Sequence, residues 1–260
     1  MRTTNLWTRE EMILVLGLYL RLPFGKFHHA NPEVIKMAKL IGRTPSSVAM
    51  RLSNYAALDP MLQARGIVGL QGGSDKCRSY WEEFSCNREG LLFECEKIQA
   101  RYEQTSIEKK YQDLLQDIPE TLTGTTREQL VKVRVNQSVF RQIVLANYSF
   151  KCALSGIDIP ELLVASHVIP WAESVSERMN PKNGICLSSL YDKAFDKGLI
   201  SFSDQYHVLF SSRLKDNVGK EYYSKYFEPI SDCCLATQGL KYPVAPEFLE
   251  WHRDCIFERL

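Results

Sequence analysis

The stretch from residue 165 to residue 200 constrains this chain more than any other. An apolar run leads to a histidine, His167, and sixteen residues later an Asn-Gly pair, Asn183-Gly184, favours a tight turn. Asp192 and Asp196 follow four residues apart, which places them on one face of a helix. A strand carrying a base, a second strand after a turn, and a helix carrying two carboxylates would form a compact metal-and-base site.

The composition is that of an ordinary globular protein. The chain has 260 residues, of which 45% are hydrophobic and 24% charged, enough for one large or two modest domains. Apolar stretches such as Met12 to Leu18 are far shorter than the roughly 20 residues of a membrane span. Because the first residues contain no apolar signal core, we expect a cytoplasmic protein without a membrane segment.

The eight cysteines do not favour a structural zinc site. No CxxC pair occurs, and Cys77, Cys86 and Cys95 stand nine residues apart. Structural zinc ligands are usually closely spaced pairs, so buried free thiols are the preferred interpretation.

Positive charge is concentrated in two segments, although the whole chain carries only +1. Lys and Arg exceed Asp and Glu by four in residues 1–60 and by two in residues 121–200, whereas the other two segments are net negative. Binding to phosphates needs only local clusters of cations, so this distribution weakly supports nucleic-acid contacts in those two segments.

Three short helices are predicted within the first 55 residues. Helix N-caps are expected at Thr8, Asn31 and Thr44, and Gly42 separates the second helix from the third. The pattern is typical of a helix-turn-helix. The stretch IGRTPSSVAMRLSNY also resembles the recognition-helix region of SANT/Myb-like domains. That resemblance implies a DNA-facing side formed by Arg43, Ser46, Ser47, Met50 and Arg51. A small helical bundle with a solvated polar face is the alternative.

The middle of the chain is predicted to connect two domains. Residues 88–118 are rich in Glu, Lys, Gln and Leu, which predicts one long helix, and a polar linker follows Pro119. Residues 131–135 alternate with a period of two, which predicts a strand. We therefore expect a helical DNA-reading domain at 1–87, a connecting helix and linker at 88–124, and a second domain at 125–260 that ends in a buttressing helix.

Three motifs within about 40 residues carry a resemblance to the HNH (ββα-metal) endonucleases. They are SHVIPW, NPKNG and LYDKAFDKGLISF, in that order. The resemblance implies an α+β fold, with an N-terminal helical domain and a C-terminal ββα-metal HNH domain. It implies that His167 is the general base and that Asn183 holds the imidazole in one orientation through a hydrogen bond. A purely structural Asn183 is the competing interpretation.

The resemblance also implies a metal on Asp192 and Asp196. These residues stand where other members carry histidines, which is similar to a restriction-endonuclease-like subgroup with Asp in place of the last His. Two carboxylates favour Mg²⁺ or Mn²⁺ over Zn²⁺. Tyr191 is an alternative third-position residue. Ser166 replaces a frequent metal ligand of the family, which leaves a smaller ligand set. Lys193 is a candidate phosphate contact.

The predicted function is metal-dependent hydrolysis of double-stranded DNA by an endonuclease of the restriction or genome-defence type. One HNH site per chain would need two chains for a double-strand cut, so a homodimer is expected. Two other functions stay open. One is a catalytically silent DNA-binding or regulatory protein, and the other is an effector nuclease that a partner activates.

Overall fold

The computed structural model describes residues 6–23, 25–85, 87–119 and 121–259, and these residues form twelve α-helices and four short strands. The chain divides into two compact units, residues 1–139 and residues 140–260. The combination of helices and short strands confirms the α+β class. The finer domain limits expected at 87 and 124 stay predictions. None of the described helices is long and apolar enough to cross a lipid bilayer.

The first three helices begin where the sequence predicts, and their ranges are α1 (Arg9–Arg21), α2 (Pro32–Ile41) and α3 (Pro45–Ala56). Thr8 forms a capping box with Glu11, and Asn31 and Thr44 each accept a backbone N–H of the helix that follows. Gly42 adopts φ +65°, a left-handed conformation that ends α2 after its last turn. Local capping chemistry therefore sets these helix boundaries.

Helix α1 forms the centre of the first unit. Its residues from Glu11 to Leu20 are all buried, and it packs against α3, against α5 (Asp75–Phe84) and against α6 (Arg88–Tyr102). The short α4 (Pro60–Ala64) lies between α3 and α5 in the sequence. A helix buried on every side is the core element of its unit.

The prediction of one long helix at 88–118 was wrong. Helix α6 ends at Tyr102, Gln104 adopts a left-handed φ of +56°, and Ser106 caps a new helix, α7 (Ile107–Lys110). The break turns the chain back, so that Lys110 and Tyr111 reach Glu96 on α6 at 2.9 Å and 2.6 Å. Arg21 of α1 also pairs with this buried carboxylate. Tertiary contacts to a buried charge thus outweigh the helix propensity of the segment.

The strand predicted at 131–135 was also wrong, because these residues lie within the long helix α8 (Gly124–Asn147). Alternating valines suggested a strand, but Val131, Val135, Val139 and Ile143 recur every four residues and are all buried. The helical period of the buried positions prevails over the β propensity of valine.

The second unit contains the predicted ββα element. Strand β1 (Leu163–His167) pairs with β2 (Gly184–Ser188) in antiparallel register, with His167 opposite Gly184, and α9 (Ser189–Asp196) follows directly. Gly184 has φ −132°, so it begins a strand and does not form the tight turn expected of an Asn-Gly pair. The strands are joined instead by residues 168–183.

The remaining elements of the second unit follow α9. They are β3 (Ile200–Phe202), β4 (Val208–Phe210), α10 (Ser212–Lys215), α11 (Glu221–Tyr226) and α12 (Pro246–Cys255). β3 and β4 form a second antiparallel pair, and α12 packs against β3. His252 of α12 is buried, and its ring stacks on Phe195 of α9 at 3.7 Å between centroids. The C-terminal helix thereby supports the helix of the ββα element.

All cysteines in the described part of the chain are free thiols. The expectation of buried thiols holds for Cys77, Cys95, Cys152 and Cys186 and was wrong for the others described, because Cys233 is half-buried and Cys234 and Cys255 are exposed. Cys86 lies outside the described residues.

Candidate active site

His167 is the last residue of β1, and its ring is held between two aromatic side chains. Phe140 of α8 stacks on the imidazole with 3.9 Å between ring centroids and 12° between planes. Trp171 meets the same imidazole edge-on, at 5.6 Å and 88°. Such aromatic contacts restrict the rotation of a side chain beyond what simple burial would do.

One hydrogen bond fixes the tautomer of His167. Its Nε2 lies 3.0 Å from the carbonyl oxygen of Arg178. A carbonyl can only accept, so Nε2 carries the hydrogen and donates it, and in the neutral ring Nδ1 keeps its lone pair. Nδ1 has no hydrogen-bond partner among the described residues. This nitrogen can therefore accept a proton.

Burial lowers the pKa of His167 below its usual value of 6.5, and the hydrogen bond to the Arg178 carbonyl only partly offsets this effect. The lowered pKa keeps the imidazole neutral at neutral pH. A neutral imidazole with one free nitrogen has the properties that a general base needs.

Asn183 does not hold the imidazole directly, which corrects the expected hydrogen bond. Its Oδ1 accepts the N–H of Ile169 at 2.7 Å, and its Nδ2 donates to the carbonyls of Ile169 and Glu177 at 2.9 Å and 3.2 Å. The side chain is buried and ties both ends of the segment between β1 and β2 together. Asn183 therefore holds the backbone at Glu177, and the carbonyl of the next residue, Arg178, accepts the hydrogen bond from His167.

Gly184 has a packing role that its turn propensity did not reveal. A Cβ atom at this position would lie 2.5 Å from Cγ2 of Val144 and 2.9 Å from Cζ of Phe140. Only a residue without a side chain lets Phe140 come this close to β2 and stack on His167. The absence of a side chain at Gly184 is thus part of how the imidazole of His167 is positioned.

The two carboxylates of α9 lie one helical turn apart and interact. Burial raises the pKa of Asp192, against opposing effects of the Ser166 hydroxyl and of Lys193. Asp196 is exposed, but partial desolvation raises its pKa, and the nearby Asp192 carboxylate raises it further. Two carboxylates with raised pKa values would gain from a bound cation, because a cation removes the cost of holding their charge.

Ser166 adds a third oxygen-bearing side chain, next to the Asp192 carboxylate. Its hydroxyl is close enough to Asp192 to lower the pKa of that carboxylate, yet it forms no hydrogen bond of ordinary geometry and is buried. A buried hydroxyl that makes no ordinary hydrogen bond leaves its oxygen available to a cation bound beside the Asp192 carboxylate. Ser166 immediately precedes His167 in β1, so one strand end supplies both the imidazole and this oxygen.

This donor set fits a hard divalent cation bound by few protein atoms. In the described part of the chain no group of three or more His, Cys, Asp or Glu side chains is arranged to hold a metal. Mg²⁺, however, is commonly bound by one or two carboxylates and completed by water and substrate phosphate oxygens. Asp192, Asp196 and Ser166 are the residues that would hold such an ion.

Tyr191 and Lys193, which flank Asp192, differ in exposure: Tyr191 is buried and Lys193 is exposed. The Tyr191 hydroxyl donates to the carbonyl of Tyr226 at 2.6 Å, and its ring packs on Phe227, so this side chain supports α11 and the residue that follows it. Lys193 is exposed and lowers the pKa values of both aspartates. Lys193 therefore remains available for an anionic ligand next to them.

The residues predicted to face DNA in the first unit are placed unequally. Arg43 pairs with the fully buried Glu11 at 2.8 Å, and Arg43 and Arg51 lie over the ring of Trp7 at 4.6 Å and 4.9 Å. Arg51 also donates to the Gly73 carbonyl at 3.3 Å. Both guanidinium groups thus serve the packing of the unit.

On α3, Ser46 is exposed, whereas the Ser47 hydroxyl is bonded to the Thr44 carbonyl. Met50, the neighbouring position, is also exposed. The polar surface that α3 offers to a ligand is therefore smaller than the sequence pattern indicated.

The sequence motifs missed Arg178 and Phe140. Neither residue belongs to one of the three sequence motifs. Each contacts His167 only because the folded chain brings it there. The only sequence signal was the glycine at 184, which indicates a close approach of another element to β2.

Comparison with known families bears on the same region. Residues 152–203 match a family model described as HNH endonuclease. The matched span contains β1, β2, α9 and β3. No protein with curated annotation matches the chain.

Proposed function

Because residues 152–203 place this segment of the chain in the HNH endonuclease family, we propose that the protein is a metal-dependent endodeoxyribonuclease of the subgroup with aspartates on the helix. The observation that carries the proposal is the state of His167. Its Nε2 is bound to the Arg178 carbonyl, its Nδ1 is free among the described residues, and burial keeps the ring neutral. The preceding residue of the strand, Ser166, meets Asp192.

In the proposed mechanism, His167 activates a water molecule. Nδ1 takes a proton from the water, the water oxygen bonds to phosphorus, and the bond between phosphorus and the 3′-oxygen breaks, with a proton from solvent completing the leaving group. A divalent ion, Mg²⁺ or Mn²⁺, on Asp192 with Asp196 and Ser166 would neutralise phosphate charge and stabilise the leaving oxygen. Asn183 keeps the segment between the strands in place, and Lys193 binds a neighbouring phosphate.

We further propose double-stranded DNA as the substrate and a role in restriction or genome defence. The helices of the first unit support a DNA-reading function, through Ser46 and the exposed end of α3, with Ser47, Arg43 and Arg51 maintaining its shape. Each chain carries one such site, so cutting both DNA strands would require two chains, and we propose a homodimer.

One observation favours a second candidate, a DNA-binding protein without catalysis. Ser166 is a weaker metal ligand than a carboxylate, and the described residues contain no cluster of three metal-binding side chains. In that case the chain would bind DNA and leave it uncut.

A plasmid-cleavage assay tests the proposal. The purified chain is incubated with unmodified and with cytosine-modified plasmid in Mg²⁺, in Mn²⁺ and in EDTA. The variants are His167→Ala and, as a control, His207→Ala, which removes an exposed imidazole from the same unit. We expect cleavage that requires the metal, is lost in His167→Ala and persists in His207→Ala. DNA binding without cleavage of either plasmid in any metal would favour the second candidate.

A further inference from the structure

The segment between β1 and β2 is held more firmly than a connecting loop requires. Asn183 bonds three backbone groups in it, and the Asn180 side chain donates to Glu177 at 2.6 Å. The Arg178 Nε donates to the Trp171 carbonyl at 2.7 Å. Together these bonds fix both ends of the turn that carries Arg178.

The Arg178 side chain contacts the same aromatic ring as the imidazole. Its guanidinium carbon lies 5.4 Å from the centroid of the Trp171 ring, and the same ring meets the imidazole at 5.6 Å. The Arg178 backbone carbonyl at the same time accepts the hydrogen bond from His167. Trp171 thus contacts both the imidazole of His167 and the guanidinium group of Arg178, and its carbonyl also accepts a hydrogen bond from Arg178.

The terminal nitrogens of Arg178 have no partner in the described part of the chain. Nε uses one donor on Trp171, and no described carboxylate lies within ion-pair distance of the guanidinium group. Two other arginines of this unit use their terminal nitrogens within the protein. Arg141 donates from both terminal nitrogens to the carbonyls of Leu163 and Pro160, and Arg253 donates to the Phe202 carbonyl and to Asp204.

A half-buried guanidinium group held through Nε presents its two terminal nitrogens as a fork. This geometry matches two oxygens of a phosphate, and the order of the side chain is established before any ligand binds. A group with this arrangement next to a general base is suited to an anion at the reacting position, since preorganised donors lose little entropy on binding.

We propose that Arg178 is a catalytic residue that binds the non-bridging oxygens of the scissile phosphate and stabilises the charge that develops there as water attacks. The inference rests on the proposed nuclease function and adds a positively charged group to the proposed site. The backbone of Arg178 orients the base, and its side chain binds the phosphate. A single residue thereby sets the distance between the attacking water and its target.

The test compares Arg178→Gln, Arg178→Lys and wild type in single-turnover cleavage of a DNA duplex in Mg²⁺. Glutamine can still donate to the Trp171 carbonyl but carries no charge, and every variant keeps the carbonyl that orients His167. Arg134→Gln, on the exposed surface of α8, is the matched control for the loss of one positive charge. Thermal unfolding and the pH profile of cleavage are measured for each variant.

We expect Arg178→Gln to lower the cleavage rate at saturating enzyme about 100-fold, the usual effect of removing one donor to a developing oxyanion. Arg178→Lys should fall between Gln and wild type, because lysine keeps the charge and loses the fork. The acid limb of the pH profile and the unfolding temperature should stay as in wild type. Millimolar guanidinium ion should restore part of the rate of Arg178→Gln and leave the control unchanged.

Wild-type cleavage by Arg178→Gln would overturn the inference. A slower rate that coincides with a shifted pH profile or a lower unfolding temperature, and that guanidinium does not restore, would also overturn it, because Arg178 would then act only on the position of His167. Both results require an active wild type. Failure of the wild type to cut DNA would instead refute the proposed nuclease function, so the two failures are distinguishable.

Discussion

The buried histidine of the C-terminal helix should make the second unit sensitive to acid. His252 is 1% exposed, and both ring nitrogens are engaged, since Nε2 donates to the Phe195 carbonyl at 3.1 Å and Nδ1 lies 2.9 Å from the Ser201 hydroxyl. Because Nε2 carries the hydrogen, Nδ1 accepts from Ser201. A second proton on this ring would have to be held without solvent and without a negative partner.

The size of the effect follows from the pKa of His252. Burial, chiefly, lowers this pKa from 6.5 to about 4, and Arg253 contributes in the same direction. The unfolded chain therefore binds a proton more readily than the folded chain below pH 6.5. The free energy of unfolding is undiminished above that pH and falls as the pH decreases towards 4. One pKa unit corresponds to about 1.4 kcal/mol, so this group alone removes about 2 kcal/mol between pH 7 and pH 5.

The assay is urea unfolding of the full chain at about pH 7 and about pH 5, followed by hydrogen exchange of peptides from β3 and α12. Exchange in these peptides reports on the second unit by itself. His252→Gln removes the titrating group and keeps an amide that can bond to both neighbours. His207→Gln is the control, because His207 is exposed in the same unit.

We expect His252→Gln to be less stable than wild type at pH 7, because the stacking on Phe195 is lost, but to lose about 2 kcal/mol less on going to pH 5. His207→Gln should follow wild type at both pH values. His167 has a lowered pKa as well, so wild type and control should share a remaining pH dependence. An identical loss of stability in wild type and His252→Gln would refute the reasoning.

Three further outcomes are expected. Asp192→Asn should raise the Mg²⁺ concentration needed for half-maximal cleavage at least tenfold, whereas Tyr191→Phe should leave it unchanged; the reverse order in a metal titration would reassign the metal ligand. Glu96→Gln should lower the free energy of unfolding of the first unit by about 3 kcal/mol, because Arg21 and Lys110 lose a buried carboxylate whose pKa they lower to about 2. Urea unfolding at neutral pH measures this, and a stability equal to wild type would contradict it. Gly184→Ala should displace Phe140 and slow cleavage at least tenfold in a rate assay, and an unchanged rate would show that the stacking on the base is dispensable.

Features set by neighbouring residues could be predicted from the sequence. The caps at Thr8, Asn31 and Thr44 bond to backbone two or three residues away, so the helices they begin were found at the right places. The ββα element was also predictable, because an apolar strand ending in His167 and a helix with Asp192 are both local patterns.

Features set by distant residues could not. Helix α6 ends at Tyr102 because the chain has to turn back for Lys110 to reach the buried Glu96. In a straight helix Lys110 would be too far from Glu96, and the residues around Tyr102 carry no sequence signal for this contact. Arg43 matched a recognition-helix pattern, but its partner is Glu11, 32 residues earlier in the chain. The orientation of His167 depends on Phe140 and on the Arg178 carbonyl, and a backbone carbonyl has no sequence signature at all.

The carbonyl that orients His167 has one more consequence. Many catalytic histidines are oriented by a carboxylate, which also holds the positive charge of the imidazolium that forms during reaction. A carbonyl carries no net charge, so in the proposed mechanism the proton taken from water meets no anion that would retain it on the ring. The imidazolium is short-lived, and solvent restores the base after each cut. The enzyme would then begin every turnover with the same neutral histidine, because solvent accepts the proton from the imidazolium and no separate side-chain base is needed to remove it.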